Sequence, residues 1–446
     1  MSSNAINSRE LILDVLLAVT RDGMYSHIAI RNTLDKYRYL PKQERSFIKR
    51  VCEGTLERMI WIDYVLNQYS SVKVNKMKPV IRCILRSGVY ELKYMDAVPA
   101  SASCNEAVKL AQKRGFRNLK GFVNGVLRSV SRNLDLLAMP DKEKEPLEYL
   151  SIAGSMPRWI LELWRQSYSL EQIEGFLEAF LTEMPAAILV NPLKTTREEL
   201  KKELEEAQIQ AEESELENVL RIKNYDFLEK IPAFREGKFH VQDLSSVKAG
   251  LWAAPKEHSF VVDVCAAPGG KSIHAAELMH GTGMVEARDL SPRKVALIQE
   301  NIERCQLPNV RALQADARIP DPKLMGQADV VIADLPCSGL GVLGKKADIK
   351  YKVTQEACKD LASLQREILN TVCQYVKEGG TLLYSTCTIN PGENQENTAW
   401  FLEEHPEFSL EKQQQILPEK GICDGFFLAK FVRNCNGEGF RAVTRN

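Results

Sequence analysis

The chain has 446 residues, 44% of them hydrophobic, and no formal net charge. That length suits two or three domains with ordinary apolar cores, and no run reaches the ~18 apolar residues of a membrane-spanning helix. The eleven cysteines are odd in number, scattered and never spaced as CxxC, which argues against a disulfide framework and a zinc site and points to a reducing cytoplasm.

The N-terminal stretch MSSNAINSRELILDVLLAV lacks a cationic start and a small-residue cleavage site. It reads as an amphipathic helix with Ile12, Leu16 and Val19 on one face, not as a signal peptide. Apolar residues keep recurring at three- and four-residue spacing to about residue 135, so this region is expected to be an all-helical bundle. Charge is sorted along the chain: through residue 132 there are about 23 basic against about 11 acidic residues, an excess of about twelve that the remainder must cancel. Lys113, Arg114, Arg117, Lys120, Arg128 and Arg132 fall in one stretch, KRGFRNLKGFVNGVLRSVSRN. Such a cluster is either a solvated helix face or a surface that displaces counterions from nucleic acid.

A charged connector, DKEKE at 141–145, ends the bundle. Residues 145–240 mix helical stretches with a short strand, AAILVNP, and are expected to form a small α+β linking domain. From 241 to 446 the pattern becomes strand–helix alternation: SFVVDVCA, GMVEARD, NVRALQA, ADVVIAD and GGTLLYS are strands, separated by amphipathic helices. This spacing predicts a parallel, doubly wound α/β sheet, whose ligands bind beyond the carboxyl ends of the strands.

Those ends carry chemistry. The first strand runs into Cys265-Ala266-Ala267-Pro268-Gly269-Gly270-Lys271, a small-residue turn opening a helix. Such a turn lets a ligand approach the backbone at a helix N-terminus. A phosphate-binding Walker loop would need glycine at the position of Cys265, and GxGxxG is also absent. Asp289 ends the second strand, about twenty residues on, where a carboxylate meets ribose hydroxyls. Asp316 follows the third strand and Asp334 ends the fourth. One carboxylate at a strand tip is commonly a helix cap; three in succession after such a turn fit an adenosine ligand that lacks phosphates and carries a positive centre, S-adenosylmethionine. The fourth strand continues to Cys337 and the fifth to Cys387, so adjacent strands each deliver a thiol to one edge. A thiolate adds to C6 of a pyrimidine and makes C5 nucleophilic. The cysteines in helical patterns, Cys52, Cys83, Cys104, Cys305, Cys358 and Cys373, are expected to be packing residues.

The segments DVCAAPGGKS, DLPCSGLG and YSTCTINPGENQEN resemble the RNA cytosine-C5 methyltransferases. Together with VPASASCNEAVKLA and GFVNGVLR in the basic helical region, they resemble the bacterial 16S rRNA methyltransferases of the RsmB type, whose N-terminal domain is similar to the NusB antitermination protein. DGFFLAK fits that family's closing hairpin. The resemblance implies a NusB-like RNA-binding bundle (1–140), the linking domain (145–240) and a Rossmann-like class I S-adenosylmethionine-dependent methyltransferase domain (241–446). It implies Cys387 as nucleophile, Cys337 as the thiol of product release and Asp334 as the residue holding the flipped cytosine. Residues 265–271 with Asp289, Asp316 and Asp334 would line the S-adenosylmethionine site, and 16S rRNA would be the partner. No metal, membrane or obligate protein partner is implied. The run at 344–350 departs from the family's Arg-rich pattern. Two other readings stay open. In a DNA cytosine-C5 methyltransferase Cys337 would attack, and a non-catalytic antitermination-type RNA-binding factor would do without the thiols.

Overall fold

The computed structural model describes residues 7–435. Its contacts divide the chain into two units, Met1–Leu181 with Leu343–Lys352, and Thr182–Val342 with Val353–Asn446.

The first unit is helical. Ser8–Thr20 buries Ile12, Leu16 and Val19, the face expected from their spacing. Pro79–Tyr94 contributes Leu85 and Val89, and Lys120–Asn133 contributes Val123, Leu127 and Val130, to the same core. Helices Pro146–Ala153, Arg158–Trp164 and Leu170–Phe180 also belong to this unit. The last is started by a capping box in which Ser169 and Gln172 satisfy each other's backbone N–H groups. The first three helices of the expected linking segment therefore group with the bundle, and its strands, with helix Arg197–Glu206, group with the second unit.

The strap at 343–352 is also built into this unit. Asp348 is 1% exposed. It accepts hydrogen bonds from the Ser26 N–H at 3.0 Å, the Ser26 hydroxyl at 2.5 Å and Lys352 Nζ at 2.8 Å. Lys350, equally buried, donates from Nζ to the Glu57 carbonyl at 2.8 Å. Burial pushes its pKa down to about 7. The charged residues of 344–350 that a loop would offer to solvent are thus partly consumed inside a core.

The second unit holds two sheets. Strands β1 (Ala186–Val190), β2 (Gln210–Glu213), β3 (Val219–Lys223) and β4 (Phe239–Val241) form an antiparallel sheet in the order β2-β3-β1-β4. Leu200 and Leu204 of helix Arg197–Glu206 pack with Ile188 and Val190 in its core. The larger sheet contains β5 (Phe260–Asp263), β6 (Met284–Asp289), β7 (Val310–Gln314), β8 (Ala328–Asp334), β9 (Val376–Thr386), β10 (Phe408–Ile416) and β11 (Phe426–Arg433), in the order β10-β11-β9-β8-β5-β6-β7. Strands β5 to β9 run parallel. The sheet is not wholly parallel, because β11 pairs antiparallel with β9 and folds back onto β10. The hairpin needs no crossover helix, so strand–helix alternation stops one strand early. Both faces are covered: Val261, Val285, Ile332 and Leu383 pack on one side, and Val262, Val331, Leu382 and Tyr384 on the other. This two-sided burial explains the unbroken apolar runs that marked these strands. Among the described residues no helix is long and apolar enough to cross a membrane.

Candidate functional site

Strand register brings the two thiols together. Asp334 of β8 lies opposite Ser385 of β9, at the last ladder pair of the two strands. Beyond it, the Leu335 N–H donates to the Ser385 carbonyl at 3.0 Å, and the Gly341 N–H to the Cys387 carbonyl at 3.1 Å. A Cβ at Gly341 would meet the Gly425 carbonyl oxygen at 2.3 Å and that of Cys387 at 2.9 Å, so only glycine lets these chains approach. The Sγ atoms of Cys337 and Cys387 end 3.0 Å apart, and the Cys387 N–H points at the Cys337 sulfur at 3.2 Å. The contact with Cys387, reinforced by burial and by the negative charge of Glu393, pushes the Cys337 thiol well above its ordinary pKa. Cys337 is held as a thiol.

Asp334 stands beside this pair. Its Oδ1 accepts from Ser385 Oγ at 2.7 Å and its Oδ2 from Lys271 Nζ at 2.6 Å. Lys271 also donates to Ser246 Oγ at 2.8 Å. Burial opposes the ammonium charge of Lys271, but the Asp334 carboxylate outweighs it and carries the lysine above its usual pKa. Lys271 closes the small-residue turn in the sequence, yet its amine turns to Asp334 and lies near enough to feel Cys387.

The turn itself runs from β5 into helix Gly270–Leu278. Gly269, at φ +104°, occupies a region closed to residues with a Cβ. The Ala266 N–H is taken by the Arg288 carbonyl at 2.8 Å, fixing the turn against β6. Cys265 is partly buried in it, with its thiol raised by burial. Asp289 is 4% exposed; its carboxylate accepts from the Ser291 N–H at 3.1 Å and lies 3.5 Å from Lys294 Nζ. Asp316 is engaged by Arg318, whose backbone N–H and guanidinium donate to it at 2.7–3.0 Å.

Sequence reasoning passed over Asp263, the last residue of β5. It is fully buried; Oδ2 accepts from Ser272 Oγ at 2.7 Å, while Oδ1 has no hydrogen-bond partner among the described residues. Burial raises its pKa to about 7. A buried carboxylate oxygen without a partner at the start of this turn fits an ammonium-bearing ligand, which would supply a hydrogen bond. Its place before the turn was the available signal. Also passed over were Gln365, Glu393 and Asn394, although the last two lie within YSTCTINPGENQEN.

The six cysteines expected to be packing residues are all buried, in helices or at their ends. On the helical unit, Lys113 and Arg114 are committed to ion pairs with Glu10 and Asp14. Arg117, Lys120, Arg128 and Arg132 are exposed.

Known families match in three consecutive blocks. Residues 6–132 match the NusB family, 156–225 the ferredoxin-like domain of RsmF/B-like methyltransferases, and 250–432 the 16S rRNA methyltransferase RsmB/F family. The probable ribosomal RNA small subunit methyltransferase B of Bacillus subtilis is 34% identical over 94% of this chain and 97% of its own. The chain belongs to the ribosomal RNA small subunit methyltransferase B family. A second member, from Synechocystis, is 32% identical over 96% of this chain and 100% of its own. Among solved structures, the crystal structure of PH0851 has a TM-score of 0.81 and 27% identity, covering 96% of this chain and 99% of that one. NSun6 from Pyrococcus horikoshii, solved with SFG, has a TM-score of 0.57 at 23% identity over 65% of this chain, a likeness of fold. The family places a NusB domain, a ferredoxin-like domain and a Rossmann-like methyltransferase domain along the chain, in the order expected.

Proposed function

We propose that this protein methylates C5 of one cytosine in 16S ribosomal RNA, in the cytoplasm, with S-adenosylmethionine as methyl donor. The observation that carries this reading is the pair of thiols 3.0 Å apart at the ends of adjacent strands, beside a carboxylate held by a largely buried lysine. Packing cysteines have no reason to meet there.

When bound, S-adenosylmethionine supplies an electrophilic methyl group. The small-residue turn 265–271 would give it close backbone approach, Asp263 would meet its ammonium group, Asp289 its ribose and Asp316 its base. Asp334 would hold the N3/N4 edge of the flipped cytosine and stabilise the protonated ring, with Lys271 and Ser385 fixing its two oxygens. The Cys387 thiolate adds to C6, forming an S–C6 bond and pushing electrons to C5, which then takes the methyl group. For release, solvent takes the C5 proton, the C5–H electrons re-form the C5=C6 bond, and the S–C6 bond breaks with its electrons going to the Cys387 sulfur. The Cys337 S–H, held against that sulfur, would donate a hydrogen bond to it as it departs. Aromaticity returns, Cys387 is again a thiolate, Cys337 is unchanged, and the proton lost from C5 has gone to water.

Labelled methyl transfer to 16S rRNA, with bisulfite mapping of rRNA from cells with and without this protein, tests the proposal. One cytosine should resist conversion only where the protein is present. Identical maps would refute the assignment.

A further inference from the structure

Cys337 and Cys387 both lie beyond the last ladder pair of β8 and β9, Asp334–Ser385, so the sheet alone does not fix their sulfurs. Buried side chains do. On either side of Cys337, the Pro336 carbonyl accepts from Gln365 Nε2 at 2.8 Å, and the Ser338 N–H donates to Glu393 Oε2 at 2.8 Å. Gln365 and Glu393 are joined to each other at 3.1 Å. On either side of Cys387, the Thr386 hydroxyl donates to Asn394 Oδ1 at 2.6 Å, and Asn394 Nδ2 donates to the Thr388 carbonyl at 3.0 Å. A hydroxyl pair, Ser338 Oγ and Thr388 Oγ1 at 2.8 Å, ties the two loops together. Gln365, Glu393, Asn394, Thr386 and Thr388 are all 0% exposed.

A buried carboxylate costs several kcal/mol of lost solvation unless it is well satisfied. Glu393 is satisfied by donors alone: Ser338 N–H, Gln365 Nε2 and Asn390 Nδ2, the last at 2.9 Å. A turn after a strand needs no such group, since Asn390 already caps it by accepting from the Gly392 N–H.

We infer that the adjacent residues Glu393 and Asn394 are positioning residues for the two thiols, Glu393 for Cys337 and Asn394 for Cys387. The inference rests on the thiol chemistry proposed above.

The two residues should then fail differently. The experiment uses the full chain, labelled S-adenosylmethionine and a 16S rRNA transcript, with Cys387→Ala and Cys337→Ala as controls. Glu393→Ala should bind S-adenosylmethionine as wild type does by calorimetry. It should lose about a hundredfold in turnover, the cost of an ångström-scale misplacement, and accumulate an RNA-linked band on a denaturing gel. Asn394→Ala should lose methylation similarly without that band, since adduct formation itself is impaired. Glu393→Gln keeps the side chain's shape and an acceptor for Ser338, and should restore most of the turnover. If Glu393→Ala fails to fold, Ser338→Ala, which removes only the hydroxyl link, should give the RNA-linked band. Wild-type turnover in the Glu393 variant overturns the inference, as does the same uniform loss of cofactor binding and methylation in both variants. If the cysteine controls behave as proposed but the two variants do not separate, the positioning role alone fails. If Cys387→Ala still methylates, the underlying thiol chemistry fails with it.

Discussion

Replacing Lys271 with methionine removes the cation from a pair whose side chains are 11% and 29% exposed and whose charged atoms lie 2.6 Å apart. Among the described residues Asp334 then keeps the Ser385 hydroxyl alone. Breaking a buried pair by removing one partner costs about 3–5 kcal/mol. Asp334 still reaches water, which places the expected loss near the lower end, about 3 kcal/mol. For a unit of this size that lowers Tm by about 6–12 °C. In the wild type the Lys271 pKa is raised, so its stabilising contribution is fully present below the ordinary lysine value and is lost only as the pH climbs through the raised one. Thermal melts of both proteins between about pH 6 and 8, well below the ordinary lysine value, should therefore show the same gap throughout. An unchanged Tm would refute the role given to this ion pair. Methyl transfer by the variant should also collapse, because Asp334 loses the group that aims it.

Asp289→Ala should weaken S-adenosylmethionine binding by about 1.5–3 kcal/mol, the range for losing hydrogen bonds to a charged acceptor, and unchanged affinity by calorimetry would remove Asp289 from the site. Neutralising Arg117, Lys120 and Arg128 together should make the log–log salt dependence of RNA binding shallower by about 2, near 0.7 for each lost phosphate contact. Neutralising Lys113 and Arg114, already paired with acidic residues, should change it much less. Lys350→Met should stabilise the helical unit near neutral pH. The lysine's pKa is depressed to about 7 in the fold, so wild-type stability rises with pH from about 7 towards the unfolded lysine value, and the difference in Tm between the two proteins should close over that interval.

The features legible in the sequence were local or periodic. The face of Ser8–Thr20 followed from the spacing of Ile12, Leu16 and Val19. Strand–helix alternation announced β5 to β9, and the thiols sit where two strand ends had to be neighbours. What could not be read depends on contacts distant in the chain. Lys271 looked like part of a ligand loop, and only the fold reveals Asp334, 63 residues on, as its partner. Asp348 meets Ser26 across 322 residues, a contact that the local sequence of 344–350 does not announce. Glu393 and Asn394 lay in a quoted motif, but a buried carboxylate and an exposed one look alike in sequence. The hairpin of β10 and β11 ended the parallel pattern because its chain returns directly rather than through a helix.

The decisive measurement is a denaturing gel of the Cys387→Ala and Cys337→Ala proteins after incubation with 16S rRNA and S-adenosylmethionine. If Cys387 attacks C6, its variant forms no covalent complex and transfers no methyl group. The Cys337 variant forms the adduct, methylates it and releases it slowly, so an RNA-linked band should accumulate. A band that appears with Cys387→Ala instead would assign attack to Cys337, and methylation unaffected by either substitution would contradict thiol catalysis altogether.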